Sequence, residues 1–212
     1  MKIHTFPNNP IEENTYVVGF EDGRAVIIDC GALFPDEKKR ITDYIRSHGY
    51  TPVAHLLTHG HFDHCLGSRY VWETFGVKPV VSADDAGLFL RHGKELRQWI
   101  GMDYPEEPFT EYIPLEEYDL SSIHCQSFFT PGHTRGGVCY LIGEGGEKAL
   151  FSGDTLFRGS VGRTDLEGGD MLQLLNSIRS NLFTLPDDLT VFPGHGPRTT
   201  IGFEKRYNMY MQ

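Results

Sequence analysis

The sequence predicts an α/β protein with two sheets packed face to face and helices outside. Strand-like apolar stretches and amphipathic helices alternate in two broadly similar runs, and each run ends in short loops rich in His and Asp. The length of 212 residues fits one domain with a sizeable core. Residues 1–212 are therefore read as a single domain, with 82–117 as a lid or pocket insertion.

In the first run, Asn14 to Phe20 and Arg24 to Cys30 are rich in Val, Ile and Tyr, and Glu21-Asp22-Gly23 between them is a turn at hairpin spacing. A helix over Pro35 to His48 follows. Pro35 takes its first position, Asp36 and Glu37 its first turn, Arg46 and His48 its last, and Gly49 stops it. Ile41, Tyr44 and Ile45 give it one apolar stripe. Val53 to Leu57 reads as a short buried strand, His64 to Trp72 as the start of a helix, and Lys78 to Val81 as a strand. Ser82 to Glu117 is polar and broken. It offers Phe89, Leu90, Trp99, Ile100 and Tyr104 as pocket walls, since long loops on a rigid scaffold carry specificity.

The second run holds strands at Ser122 to Phe129, Gly137 to Ile142 and Lys148 to Phe151, with Gly143-Glu144-Gly145-Gly146 as the turn between the last two. Asp170 is placed as the N-cap of a helix whose Met171, Leu174, Leu175, Ile178 and Leu182 repeat at helical spacing. Thr190 to Phe192 is a last short strand, and Ile201 to Met211 a terminal helix.

Composition narrows the function. A formal net charge of -10 argues against a polyanionic partner, because nucleic-acid binding draws on clustered Lys and Arg. No apolar run approaches the roughly 20 residues that span a bilayer, and Met1 to Pro7 lacks the apolar core of a signal peptide. The expectation is a cytoplasmic protein with neither nucleic-acid nor membrane partners. Cys30, Cys65, Cys125 and Cys139 form no C-x-x-C pair and sit in or beside apolar segments, which predicts reduced thiols.

The most informative stretch is Thr58-His59-Gly60-His61-Phe62-Asp63-His64. His59, His61, Asp63 and His64 can all donate to a metal, and they lie too close together to share one face of a single helix. Their geometry must be that of a loop, set between a buried strand and a helix. The alternation aims His59 and His61 the same way while Asp63 and His64 turn elsewhere, so one loop can serve two adjacent metals. Imidazole and carboxylate suit zinc, iron and manganese.

This stretch resembles the H-x-H-x-D-H signature of the metallo-beta-lactamase superfamily, and the resemblance extends from about Asn14 to the C-terminus. Further ligands follow in chain order: His133 in Thr130-Pro131-Gly132-His133-Thr134, Asp154 in Phe151-Ser152-Gly153-Asp154-Thr155, and His195 in Phe192-Pro193-Gly194-His195-Gly196. The resemblance implies an αββα sandwich of two mixed sheets. It assigns one divalent metal to His59, His61 and His133, a second to Asp63, His64 and His195, and Asp154 to both, with zinc the expected metal and iron or manganese alternatives. Two ions so placed share a hydroxide as nucleophile, and Asp63 is the expected catalytic residue for proton handling. Asp29 is implied to pack beside the metal loop without ligating.

Within the superfamily, beta-lactam-degrading members usually carry Cys where this chain has Asp154. The run Phe151 to Phe157 followed by Gly159 to Asp165, and the turn Pro193-Gly194-His195-Gly196-Pro197, resemble the short bacterial type of glyoxalase II, which implies hydrolysis of S-D-lactoylglutathione or another small thioester. Longer glyoxalase II enzymes hold the glutathione carboxylate through a further C-terminal region, so a high KM for that thioester is expected here. Gly162-Arg163-Thr164-Asp165 also resembles persulfide dioxygenases, which hold a single iron. That alternative, and a non-catalytic metal-binding protein, are the competing readings; all seven ligand positions are filled, whereas a relic site loses ligands. Arg163 and Asp165 either touch substrate or pin their own loop by an ion pair. His4, His48, His55, His92 and His124 match no motif.

Overall fold

A computed structural model describes residues 1–104, 109–144 and 146–212. Gly145 of the predicted turn, and 105–108 of the 82–117 stretch, lie outside the described residues. The chain divides into two compact units, Met1–Tyr118 and Asp119–Gln212, each built on one mixed sheet.

In the first unit, β1 (Lys2–Asn8), β2 (Glu13–Gly19) and β3 (Arg24–Ile28) form an antiparallel meander, and β3 is followed by α1 (Pro35–Ser47) and β4 (Thr51–Leu56). Then come α2 (Phe62–Cys65), α3 (Ser68–Phe75), β5 (Pro79–Val81), α4 (Ala86–Phe89), α5 (His92–Ile100) and β6 (Ile113–Pro114). Strand order follows chain order from β1 to β6, and β3, β4, β5 and β6 are parallel. Three parallel neighbours, β3, β4 and β5, thus deliver their following loops to one end of the sheet. Phe6, Val17, Ile27, Ile41, Ile45 and Val71 close the core under α1 and α3.

The hairpin and α1 form as the sequence predicts, with Glu37 capping α1 by accepting from the Leu33 and Phe34 N–H groups at 2.8 and 2.9 Å. β1 adds a strand ahead of the two the sequence predicts; its more and less exposed positions alternate along Lys2–Asn8, but His4 and Pro7 mask the pattern. The helix expected from His64 to Trp72 is two helices. Gly67 breaks it, because its N–H leaves the ladder to donate to Cys30 O at 2.8 Å, and a Cβ there would fall 2.4 Å from Cys30 Sγ. The stretch expected to be irregular holds α4 and α5, with Phe89 buried and Leu90 and Trp99 exposed.

β4 also carries His55, fully buried, with neither ring nitrogen hydrogen-bonded among the described residues. Burial drives its pKa from 6.5 down to about 3. Between those values the unfolded chain binds a proton that the folded chain refuses. The burden is absent above pH 6.5 and grows as pH falls, by up to about 1.4 kcal/mol per pH unit. His55→Leu is therefore expected to flatten the acid limb of stability. Urea midpoints of the two proteins between pH 7.5 and 5 check this, and parallel pH profiles would refute it.

The second unit contains β7 (Cys125–Phe129), β8 (Val138–Glu144), β9 (Glu147–Gly153), the ribbon β10 (Leu156–Phe157) and β11 (Ser160–Val161), α6 (Met171–Ser177), β12 (Thr190–Pro193), β13 (Thr199–Thr200) and α7 (Ile201–Tyr207). The sheet order is β13-β12-β9-β8-β7, with β12 parallel to β9 and the other neighbours antiparallel. β7, β9 and β12 consequently run the same way. Leu141, Leu150, Leu174, Ile178, Leu182 and Val191 fill its core. Asp170 caps α6 by accepting from Gln173 N at 2.9 Å, while Met171, expected on the apolar stripe, is exposed.

All four cysteines are free, and burial pushes the thiols of Cys30 and Cys125 up to about 12 and that of Cys139 up to about 11. Among the described residues no helix is long and apolar enough to cross a membrane.

Candidate metal centre

The donors of the first unit begin where β4 ends. Thr58 to His61 leave the strand as a loop, with His61 in extended conformation, and α2 carries Asp63 and His64. All four predicted donors are buried, which a water-seeking surface turn would not be.

Asp29, at the end of the neighbouring β3, orients them. Its Oδ1 accepts from Thr58 N at 2.7 Å, and its Oδ2 accepts from the Thr58 hydroxyl at 2.8 Å and from His64 Nδ1 at 2.9 Å. Having given its proton to Asp29, the Thr58 hydroxyl accepts from His59 Nδ1 at 3.1 Å. This network assigns the proton to Nδ1 in both rings, so Nε2 is the nitrogen that carries the lone pair for a metal. His64 Nε2 stands 3.4 Å from Asp63 Oδ2. The His59 and His61 rings stand edge to face, 4.8 Å apart at 86°.

The backbone beneath is equally tied. Asn9 Nδ2 donates to Asp63 O at 3.0 Å and to Gly31 O at 3.2 Å, while Asn9 N donates to Glu37 Oε1 at 2.6 Å. Glu13 Oε2 accepts from Gly31 N at 2.9 Å. Burial, reinforced by Asp29 and opposed by His64, pushes the Glu13 carboxyl well above the usual carboxylate range.

In the second unit the topology explains the donors. His133, Asp154 and His195 each follow the C-terminal end of one of the three strands that run the same way, β7, β9 and β12. Asp154 Oδ2 lies 3.6 Å from His133 Nε2 and 3.7 Å from His195 Nε2. Both distances are too long for hydrogen bonds. With ligand bonds of about 2.0–2.2 Å, donors around one cation stand roughly 3 to 4 Å apart, so the set fits a metal. His133 Nδ1 donates to Arg163 O at 2.7 Å, which turns Nε2 toward Asp154.

Arg163 thus contributes through its carbonyl. Its guanidinium forms a bidentate pair with Asp165 at 2.8 and 2.7 Å, and those hydrogen bonds hold the Asp165 carboxyl down at about 2. Gly162 beside it must be glycine, since a Cβ would fall 1.8 Å from Asp154 O. Of the histidines outside the motifs, His55 and His92 are buried, His4 stacks on Tyr44, and the His48 ring lies tilted against Tyr44.

A model of the metallo-beta-lactamase superfamily matches residues 9–195. The chain belongs to the metallo-beta-lactamase superfamily. Its fold is that of the superfamily, α/β with two mixed sheets and helices, and it is a metal-dependent hydrolase by that membership. Hydroxyacylglutathione hydrolase GloC of Haemophilus influenzae is 32% identical over 100% of this chain and 98% of its own length. The crystal structure of BLEG-1 B3 metallo-beta-lactamase is 33% identical with a TM-score of 0.87, covering 99% of both chains. That of TTHA1623 in a di-iron-bound form is 37% identical with a TM-score of 0.85, covering 98% of this chain and 99% of the other.

Thr58, Asn9 and the Arg163 carbonyl escape sequence reasoning. Thr58 directly precedes the histidine loop and could have been flagged as an orienting hydroxyl. The other two act through contacts distant in sequence and leave no local signal.

Proposed function

We propose that this superfamily member is a dinuclear metal-dependent thioesterase that hydrolyses S-D-lactoylglutathione or a related small thioester. In this reading His59, His61 and His133 hold one divalent ion, Asp63, His64 and His195 the second, and Asp154 serves both. The observation that carries it is the orientation of His59, His64 and His133 by Nδ1 hydrogen bonds, together with the metal-like spacing of Asp154 from two imidazoles. The likeness to GloC supports the thioester class, and the di-iron form of TTHA1623 supports two ions.

Two divalent ions, when bound, lower the pKa of a shared water toward about 7 and polarise an acyl carbonyl. The chain's own part is positioning. Asp29 and Thr58 keep two imidazoles in the ligating tautomer, Arg163 O does so for a third, and Asp63 takes up the proton from the attacking water. Attack forms a C–O bond and breaks the C–S bond, and the thiol leaves as thiolate without a strong general acid because its pKa lies near 8.5. Water is consumed, and acid and thiol are the products. A beta-lactam reading draws on the likeness to BLEG-1, but an amine leaving group requires the proton donor that a thiolate does not.

The test is an anaerobic assay of the zinc- or manganese-loaded protein. One thiol should appear per S-D-lactoylglutathione consumed, with little opening of a chromogenic cephalosporin. Absence of thioester cleavage at every metal loading, with oxygen uptake on glutathione persulfide or beta-lactam opening in its place, would overturn the proposal.

A further inference from the structure

We infer that Asp85 is a positioning residue of the metal loop, fixing the Gly60 peptide so that His59 and His61 are presented together to one ion. The inference rests on the metal assignment above but not on the substrate. Asp85 belongs to no motif and lies 25 positions after Gly60, at the end of the single 3-10 turn Ala83–Asp85 that follows β5. It is fully buried, and its Oδ2 accepts from Gly60 N at 3.0 Å. A carboxylate is placed out of water only where donors hold it, and one donor here is the peptide between the two histidines.

Gly60 is the weak link of the loop. Glycine samples more backbone conformations than any other residue, and the edge-to-face arrangement of the His59 and His61 rings depends on its two dihedrals. No side chain can stiffen the position from within: a Cβ on Gly60 would fall 2.6 Å from Asp85 O, 2.9 Å from Leu88 Cβ and 3.0 Å from Phe89 N. The restraint must come from outside, and Asp85 supplies it. The topology explains why it is in reach, because Asp29, the histidine loop and Asp85 follow the ends of three adjacent parallel strands, β3, β4 and β5. The same segment is fastened again farther on, where Tyr104 Oη donates to Leu66 O at 2.6 Å. The first part of the 82–117 stretch therefore acts as a strut under the loop.

The test measures zinc affinity by competition with a chromophoric chelator, and the visible spectrum of the cobalt(II)-substituted protein, for wild type, Asp85→Asn, Asp85→Ala and Asp85→Ser. Asparagine keeps an acceptor at the same reach; alanine and serine do not. Loss of an orienting partner lowers metal affinity by about 10- to 100-fold. Asp85→Ala and Asp85→Ser should show that loss at one of the ions with an altered cobalt spectrum, while Asp85→Asn retains wild-type affinity and spectrum. Should the alanine variant fail to fold, the serine variant decides. Wild-type affinity and spectrum in Asp85→Ser would overturn the inference, as would an equal loss in Asp85→Asn, which would assign the effect to charge. Wild-type protein that binds zinc without cleaving thioesters would refute only the substrate reading.

Discussion

Asp154→Ala is expected to reduce thioester turnover by on the order of 10³-fold and to weaken both metals together. Its Oδ2 faces His133 Nε2 and His195 Nε2 at nearly equal distances of 3.6 and 3.7 Å, so its loss removes the carboxylate that faces both imidazoles. Metal polarisation of a carbonyl is worth several kcal/mol of barrier, and each 1.36 kcal/mol is a factor of ten. Asp154→Asn separates charge from shape: it keeps a ligating oxygen but loses the anion, and should retain more metal than the alanine variant while still turning over slowly. Steady-state kinetics at micromolar zinc, paired with elemental analysis, check the pair. Near-normal turnover of Asp154→Ala under those conditions would mean that the bridging role is misassigned.

What was legible in the sequence was what the chain writes locally. The four donors of the histidine loop lie within six consecutive residues, so their chemistry could be read without a fold. α1 announced itself through Pro35, its acidic first turn and Gly49, because each of those signals acts within one turn of helix. The resemblance placed Asp29 beside the loop, and the structure gives that placement physical content in its bonds to Thr58 and His64.

What escaped depends on partners far along the chain. The break between α2 and α3 needs Cys30, more than thirty residues upstream of Gly67, to draw away an N–H. Asp85 is one acidic residue among 29 until β5 sets it against Gly60. Arg163 drew notice for its guanidinium, yet it is the carbonyl that reaches His133. Backbone groups are identical in every residue, so no sequence pattern announces which of them orients a ligand.

The dinuclear assignment is the central claim, and metal content tests it most directly. Protein saturated with zinc and then freed of loosely bound metal should hold two ions per chain by elemental analysis, and His195→Ala, which under the proposed assignment removes a donor from the second ion alone, should hold one. A ceiling of one ion per chain in the wild type, unchanged by His195→Ala, would contradict it.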